Sequence, residues 1–161
     1  MVNLRVNQLV VMIVLFLSLC SVAFSNTDQT NAELADLALA SQSIYVVLNR
    51  ARSQEKIDIG IANRLFSLRQ LTWPDGHPVQ LVCFPDSNAV HVKFSKAVLD
   101  IFPYQLRKHW DRLVYTGVAT APKQVRTDQQ LIHTITHNAD AIAYSNKEIS
   151  DDNVYSIQIL P

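Results

Sequence analysis

Residues 78–99 combine a largely apolar run, a polar break and a helical apolar pattern, and this combination most constrains the fold. Residues 79–84 are rich in aliphatic and aromatic side chains and predict a buried strand. Pro85, Asp86 and Ser87 end that run and predict a tight turn. After Asn88, apolar residues recur at helical spacing, at Val90, Phe94, Ala97, Val98 and Ile101. The stretch therefore predicts a strand, a turn and an amphipathic helix.

The turn before this helix is the best candidate site in the sequence. Ser87 or Asn88 is placed to accept hydrogen bonds from the first free backbone N–H groups of the helix. Alternatively, these N–H groups, which begin near Ala89, stay open to a bound anion at the positive end of the helix dipole.

The N-terminus has the layout of a secretory signal peptide. Arg5 precedes an apolar run over residues 9–17, and small residues follow near Ser25. We predict a cleaved signal over residues 1–25, a leader with a short helix over 26–43, and periplasmic localisation. An uncleaved anchor stays open, although the run is shorter than the roughly 20 residues that span a bilayer. Lipidation at Cys20 is a minor alternative, since Leu19 stands where a small residue is expected.

Charge and cysteine content exclude several classes of function. The chain has 14 basic and 14 acidic side chains, so no net field favours nucleic acid, and we expect no nucleic-acid partner. Loss of Cys20 with the signal would leave Cys83 without a disulfide partner, which suits a bacterial periplasm. The apolar neighbours of Cys83 favour a buried strand residue over a reactive thiol.

The remaining chain alternates strands and helices. Residues 43–49 predict a central strand because both of its faces are apolar, and residues 57–68 predict a helix. A turn follows at 73–76, a helix begins at Pro103 and stops at Gly117, and another runs from Thr127 to about His137. Strands at 141–145 and 154–160 complete an α/β domain, predicted over 44–161, with a mostly parallel or mixed sheet between helices.

Motifs for catalysis are weak, so we expect no enzyme, no cofactor and no metal. His133 and His137 have the spacing of a metal-binding pair, but they lie opposite the apolar side of the predicted helix, and solvated side chains are the better interpretation. The three glycines form no phosphate-binding loop. A basic group near Trp110 is interpreted as a solvated helix face: Arg107, Lys108, His109 and Arg112.

Several segments together resemble the phosphate-specific binding component of bacterial ABC transporters. The resemblance covers roughly residues 44–160. It is carried, in order, by Leu65-Phe66, Trp73-Pro74-Asp75-Gly76, the strand ending at Pro85, the helix with Phe94, residues 110–117, Pro122 and residues 138–144. The resemblance implies a type-II periplasmic binding protein fold, and the length implies about one lobe of it.

The resemblance also implies where an anion would bind. Family members contact phosphate through a Ser and an Arg at the start of this helix, and those positions are Asn88 and His91 here. Asn88 retains a hydrogen-bond donor, whereas His91 would add charge only when protonated, so affinity is expected to rise as pH falls toward 6. Glycines of the family pattern are replaced, among them one at Leu68.

Two functional hypotheses follow from the sequence. The first is an exported protein, similar to an ABC transporter substrate-binding component, that binds phosphate or a related oxyanion weakly through Ser87, Asn88, Ala89 and His91. The second is a periplasmic interaction protein that kept the fold, lost the ligand and acts with a membrane transporter or sensor. Pairing of two copies into a homodimer stays open in both.

Overall fold

The computed structural model describes residues 43–160, which contain a five-stranded mixed sheet flanked by helices. The strand order is β3-β2-β4-β1-β5. The strands are β1 (Ile44–Asn49), β2 (Gln80–Cys83), β3 (Lys123–Gln124), β4 (Ala141–Ser145) and β5 (Val154–Leu160). The α-helices are α1 (Ile59–Phe66), α2 (Ala89–Leu99), α3 (Pro103–Tyr115) and α4 (Asp128–Thr136).

Strand pairing makes the sheet mixed. Strands β3, β2 and β4 run parallel, with Gln80 opposite Ala141. Strand β1 runs antiparallel to both β4 and β5, so it lies inside the sheet, as its two apolar faces predict. The carboxyl ends of β2 and β4 therefore meet at one edge of the sheet, and their amino ends meet at the opposite edge.

Local capping explains where the helices begin. Asp58 accepts a hydrogen bond from the N–H of Ile61 at 2.7 Å, and Thr127 accepts one from Gln130 at 3.2 Å. The second half of the predicted capping box is displaced by one residue, because the Gln130 side chain accepts from the N–H of Arg126. Pro103 occupies the first turn of α3, where its missing N–H is not needed.

Tyr144 of β4 joins the sheet to the helices. Its ring stacks on Phe94 of α2 with centroids 4.0 Å apart and meets Phe66 of α1 edge-on at 5.5 Å. Helices α1, α2 and α3 pack in sequence against one another, whereas α4 packs against β4 and β1. Strands β1 and β4 are therefore largely buried, which accounts for their near-continuous apolar runs, whereas both residues of β3 are exposed.

The buried side of α2 differs in detail from the predicted one. Phe94 and Val98 are buried as expected, but Ala97 is exposed and His91 and Ser95 are buried instead. The stripe runs through positions 91, 94, 95 and 98, which is the ordinary 3.6-residue period shifted by a fraction of a turn. The histidine expected at a solvent-facing site therefore belongs to the core.

Predictions about residues 1–42 lie outside the described residues. They are the signal peptide over 1–25, its cleavage after Ser25, and the leader and short helix over 26–43, of which only Ser43 is described. Across residues 43–160, no helix has the length and apolar character needed to cross a membrane.

Candidate functional site

The junction of β2 and α2 places the four predicted site residues together at the carboxyl edge of the sheet. The turn closes through the N–H of Asn88, which donates to the carbonyl of Pro85 at 2.9 Å. Ser87 and Ala89 are exposed, so the residues that the structure describes leave the beginning of α2 open to solvent. In open α/β sheets, ligands characteristically bind at this edge.

Asn88 caps its own helix. Its side-chain oxygen accepts from the N–H of Val90 at 2.8 Å and from that of His91 at 3.4 Å. Two of the first N–H groups of α2 are thereby satisfied internally. The N–H of Ala89 and the amide nitrogen of the Asn88 side chain remain as the donors with which this end of the helix could meet an anion.

An ion pair that the sequence does not predict stands beside this helix end. Arg107 of α3 donates to the carboxylate of Asp86 from Nη2 at 2.8 Å and from Nε at 3.2 Å. The guanidinium also lies 5.1 Å from the ring centroid of Trp110. The hydrogen bonds that Arg107 donates to the Asp86 carboxylate raise the pKa of Arg107, so the guanidinium stays charged. The arginine attributed to a solvated face therefore belongs to the candidate site.

His91 lies behind the ion pair and is completely buried. Its Nδ1 is 2.5 Å from the hydroxyl of Tyr144, whereas its Nε2 has no hydrogen-bond partner among residues 43–160 and lies 3.7 Å from Oδ1 of Asp86. Desolvation lowers the pKa of His91 to about 4. The imidazole is therefore neutral at pH 6, and the expectation that protonation of His91 strengthens binding toward that pH is wrong.

Cys83, at the end of β2, has the buried position that its neighbours predict. Its side chain is 1% exposed, and burial raises the pKa of the thiol. The thiol is therefore protonated at neutral pH and lacks the character of a nucleophile. It contributes to the apolar floor behind Asp86 and Arg107.

His133 and His137 do not form a chelating pair in this structure. Their rings stack with centroids 4.1 Å apart and planes 20° apart, so their lone pairs run alongside each other instead of converging. Nδ1 of His137 is 2.8 Å from the carbonyl of His133 and donates to it. Among residues 43–160, no group of three or more His, Cys, Asp or Glu side chains is arranged to hold a metal ion.

Sequence reasoning missed the three residues that shape this site around the predicted loop. The sequence places Asp86 only in the turn, Arg107 on a solvated helix face, and Tyr144 in a strand. The Asp86–Arg107 contact joins residues 21 apart and the His91–Tyr144 contact joins residues 53 apart, and no local pattern encodes either. The burial of His91 had a signal, since it stands three positions before Phe94 and seven before Val98.

Comparison with known proteins identifies the fold. The chain is similar to an ABC-type phosphate transport receptor from Vibrio cholerae, with a TM-score of 0.56 and 14% identity over 73% of this chain and 46% of that one. It is equally similar to a phosphate ABC transporter substrate-binding protein from Clostridium perfringens, solved with bound phosphate, with a TM-score of 0.57 and 13% identity over 73% and 44% of the chains. The chain therefore shares its fold with part of each of these two proteins. It spans less than half the length of either protein.

Comparisons at the level of sequence assign no family to the chain. No family model matches the chain. The chain is 31% identical over 119 residues to malformin synthetase mlfA from Aspergillus neoniger, but the match covers 72% of this chain and 2% of that protein. A likeness to so small a part of the synthetase assigns no activity here. The resemblance inferred from the sequence is confirmed at the level of fold, through the solved binding proteins.

Proposed function

We propose that this protein binds phosphate or a similar oxyanion weakly at the junction of β2 and α2, which we call the loop 85–91 site. The observation that carries the proposal is Nε2 of His91, a buried nitrogen at the beginning of a helix. It has no hydrogen-bond partner in the described part of the chain and lies 3.7 Å from Asp86. Buried polar atoms are nearly always paired, so an unpaired one beside a helix N-terminus is a candidate ligand contact. The Clostridium perfringens protein, which has this fold, was solved with phosphate bound.

The proposed ligand contacts come from four groups around the turn. The N–H of Ala89 and the hydroxyl of Ser87 are exposed donors, and Arg107 supplies a permanent positive charge. His91 supplies a neutral N–H in place of the charge expected from the sequence. Asn88 acts mainly by fixing the end of the helix through its bonds to Val90 and His91.

Asp86 sets the expected affinity. Its carboxylate already holds Arg107 and would repel an approaching oxyanion, so binding requires Arg107 to turn part of its guanidinium toward the ligand. With few donors and a competing carboxylate, we expect a dissociation constant of about 1 mM, equivalent to roughly 4 kcal/mol. Export through the segment over residues 1–25 would place this activity in the periplasm, where a membrane transporter is the natural partner.

Isothermal titration with inorganic phosphate tests the proposal. We expect weak saturable binding to the wild-type protein and a loss of about tenfold in affinity for Arg107→Gln, since one charged hydrogen bond is removed. Arg112→Gln is the matched control, because Arg112 lies on the same helix, carries the same charge and is exposed. Equal binding by both variants, or no heat at any phosphate concentration, would remove the proposal.

A second candidate is a scaffold that keeps the fold and binds a membrane partner without a ligand. It is favoured by the internal pairing of the site, where Asp86 occupies Arg107 and Asn88 occupies two helix N–H groups. In addition, three surface hollows lined by described residues lie elsewhere, near Ile57, Gln130 and His109. Retention of a membrane sensor or transporter that is unchanged by phosphate and by His91→Ala would favour this candidate over the first.

A further inference from the structure

Tyr144 holds its hydroxyl at a fixed point between β2 and α2. The side chain is fully buried, and its ring is clamped between Phe94 and Phe66. The hydroxyl accepts a hydrogen bond from the backbone N–H of Phe84 at 3.1 Å and lies 2.5 Å from Nδ1 of His91. The hydroxyl therefore links Phe84, the residue directly after β2, to His91 of the candidate site.

Donor and acceptor requirements assign the proton positions in this chain of contacts. The Phe84 N–H is a donor only, so the hydroxyl accepts from it and keeps its own proton to donate. Nδ1 of His91 is the acceptor within reach, which requires that Nδ1 carry no proton. A neutral imidazole then carries its proton on Nε2.

The opposite tautomer leaves two groups unsatisfied. A proton on Nδ1 would make His91 donate to Tyr144, and the hydroxyl proton would then lack an acceptor among its contacts. Nε2 would also direct a lone pair toward the Asp86 carboxylate at 3.7 Å, which is repulsive. Within residues 43–160, the Nε2–H form leaves only the Nε2–H group of this network unpaired and directs it toward the Asp86 carboxylate, so the network selects this form.

We propose that Tyr144 is a positioning residue that fixes the tautomer of His91 and thereby presents Nε2–H as a donor to an oxyanion at the loop 85–91 site. The distance of 3.7 Å from Nε2 to Asp86 exceeds a hydrogen bond, so this buried donor has no partner among the described residues, and a ligand oxygen that reached it would supply one. The role toward the ligand rests on the proposed function, whereas the tautomer is a property of the protein alone. The charged groups that face the imidazole are Asp86 and Arg107, and the neutral hydroxyl of Tyr144 faces it from β4.

Histidine side-chain ¹⁵N NMR of the full chain at pH 7, without ligand, tests the assignment. We expect the His91 signals, identified by their loss in His91→Gln, to show the Nε2–H form. In Tyr144→Phe the donor to Nδ1 is gone, and we expect a mixture of tautomers or the Nδ1–H form. Tyr155→Phe removes a hydroxyl from β5 and is the matched control, which should keep the wild-type pattern.

Phosphate affinity gives the second readout. Tyr144→Phe should weaken phosphate binding about fivefold, as should His91→Gln, and the double variant should lose no more than either alone because both remove one donor. An Nδ1–H tautomer in the wild-type protein overturns the inference, even if phosphate binds. An Nε2–H tautomer without phosphate binding overturns the ligand role and the proposed function, and leaves only the tautomer assignment. The wild-type spectrum decides the tautomer even if Tyr144→Phe fails to fold.

Discussion

The two edges of the sheet each carry an arginine that is paired with aspartate and stacked on tryptophan, yet they differ in how completely the pair is enclosed. At the amino ends of β2 and β4, Arg52 donates to Asp75 at 2.6 Å and to Asp140, and lies 5.1 Å from the ring of Trp73. We call this group the Arg52 network. At the carboxyl ends, Arg107 repeats the arrangement with the single carboxylate of Asp86 and the ring of Trp110.

Enclosure separates a structural ion pair from a candidate binding site. The side chain of Arg52 is 10% exposed and forms ion pairs with three carboxylates, those of Glu55, Asp75 and Asp140. The indole N–H of Trp73 also donates to the carbonyl of Asp140. The side chain of Arg107 is 28% exposed, has one carboxylate, and lies beside the unpaired Nε2 of His91. The polar groups of the Arg52 network are paired without a ligand, whereas at the loop 85–91 site Nε2 of His91 has no partner among the described residues.

The largest expected effect on the free energy of unfolding comes from the buried imidazole of His91, at the carboxyl ends of β2 and β4. The folded protein protonates His91 only near pH 4, while the unfolded chain does so near the ordinary pKa of 6.5. Acidification between these values therefore favours unfolding, and the His91 contribution is fully present above pH 6.5 and lost toward pH 4. A shift of this size is worth roughly 3 kcal/mol.

Urea denaturation at pH 7 and pH 4 measures this contribution. The free energy of unfolding should fall by about 3 kcal/mol more in the wild type than in His91→Gln, which has no titrating ring. All other ionisable groups are common to both proteins, so their contributions cancel in the difference. Identical pH dependence in the two proteins would show that His91 is not buried as described.

Substitution of Arg52, the more enclosed arginine, should have the next largest effect on the free energy of unfolding. Arg52→Met leaves Asp140 and Asp75 without their shared cation, and we expect a loss of about 2 to 3 kcal/mol in the free energy of unfolding. Arg50→Met is the matched control, because the side chain of Arg50 is exposed and, among residues 43–160, contacts only the ring of Tyr155, at 5.9 Å. A cost no greater than that of Arg50→Met would contradict the closed character of the Arg52 network.

The open arginine should matter less to stability than the closed one. Arg107→Met removes a partly solvated pair, and we expect a cost of about 1 kcal/mol at most by the same denaturation measurement. The two methionine variants thus compare the edges directly. If Arg107→Met destabilised the protein as much as Arg52→Met, the carboxyl edge would be a structural network too, and the case for a ligand there would weaken.

The smallest expected change in the free energy of unfolding comes from a substitution at the carboxyl end of α2, away from Arg52 and Arg107. Asp100 ends this helix with a left-handed φ of 54°, where glycine is favoured, and its charge opposes the helix dipole. Asp100→Gly should raise the free energy of unfolding by about 0.5 to 1 kcal/mol, with a smaller gain for Asp100→Asn. A lower melting temperature for both variants would contradict this. A gain would provide a more stable background in which to compare the two edges.

Elements could be predicted from the sequence where the signal is local. The strands at 141–145 and 154–160 match β4 and β5, and Thr127 and Pro103 mark helix starts because capping depends on neighbours a few residues away. Leu68, where the family resemblance expects glycine, has a left-handed φ of 57°. The backbone here thus has a conformation in which glycine is favoured, although the residue is leucine.

The site itself could be predicted only in part. The turn and helix start at Asn88 follow from local spacing, and the structure places Ser87, Asn88, Ala89 and His91 around it. Which side chains complete the site depends on how α3 and β4 pack, since Arg107 and Tyr144 arrive from distant positions. The order of strands is equally non-local, because parallel pairing of β2 with β4 joins segments about 60 residues apart in the chain.

Amide and indole NMR shifts during titration with inorganic phosphate test most directly whether the open edge binds and the closed edge does not. We expect saturable shifts at the Ala89 amide, the His91 imidazole and the indole of Trp110, which lies under Arg107, with no change at the indole of Trp73 under Arg52. Shifts confined to Trp73 and its neighbours, or no shift at either indole or at Ala89, would contradict the assignment of the loop 85–91 site.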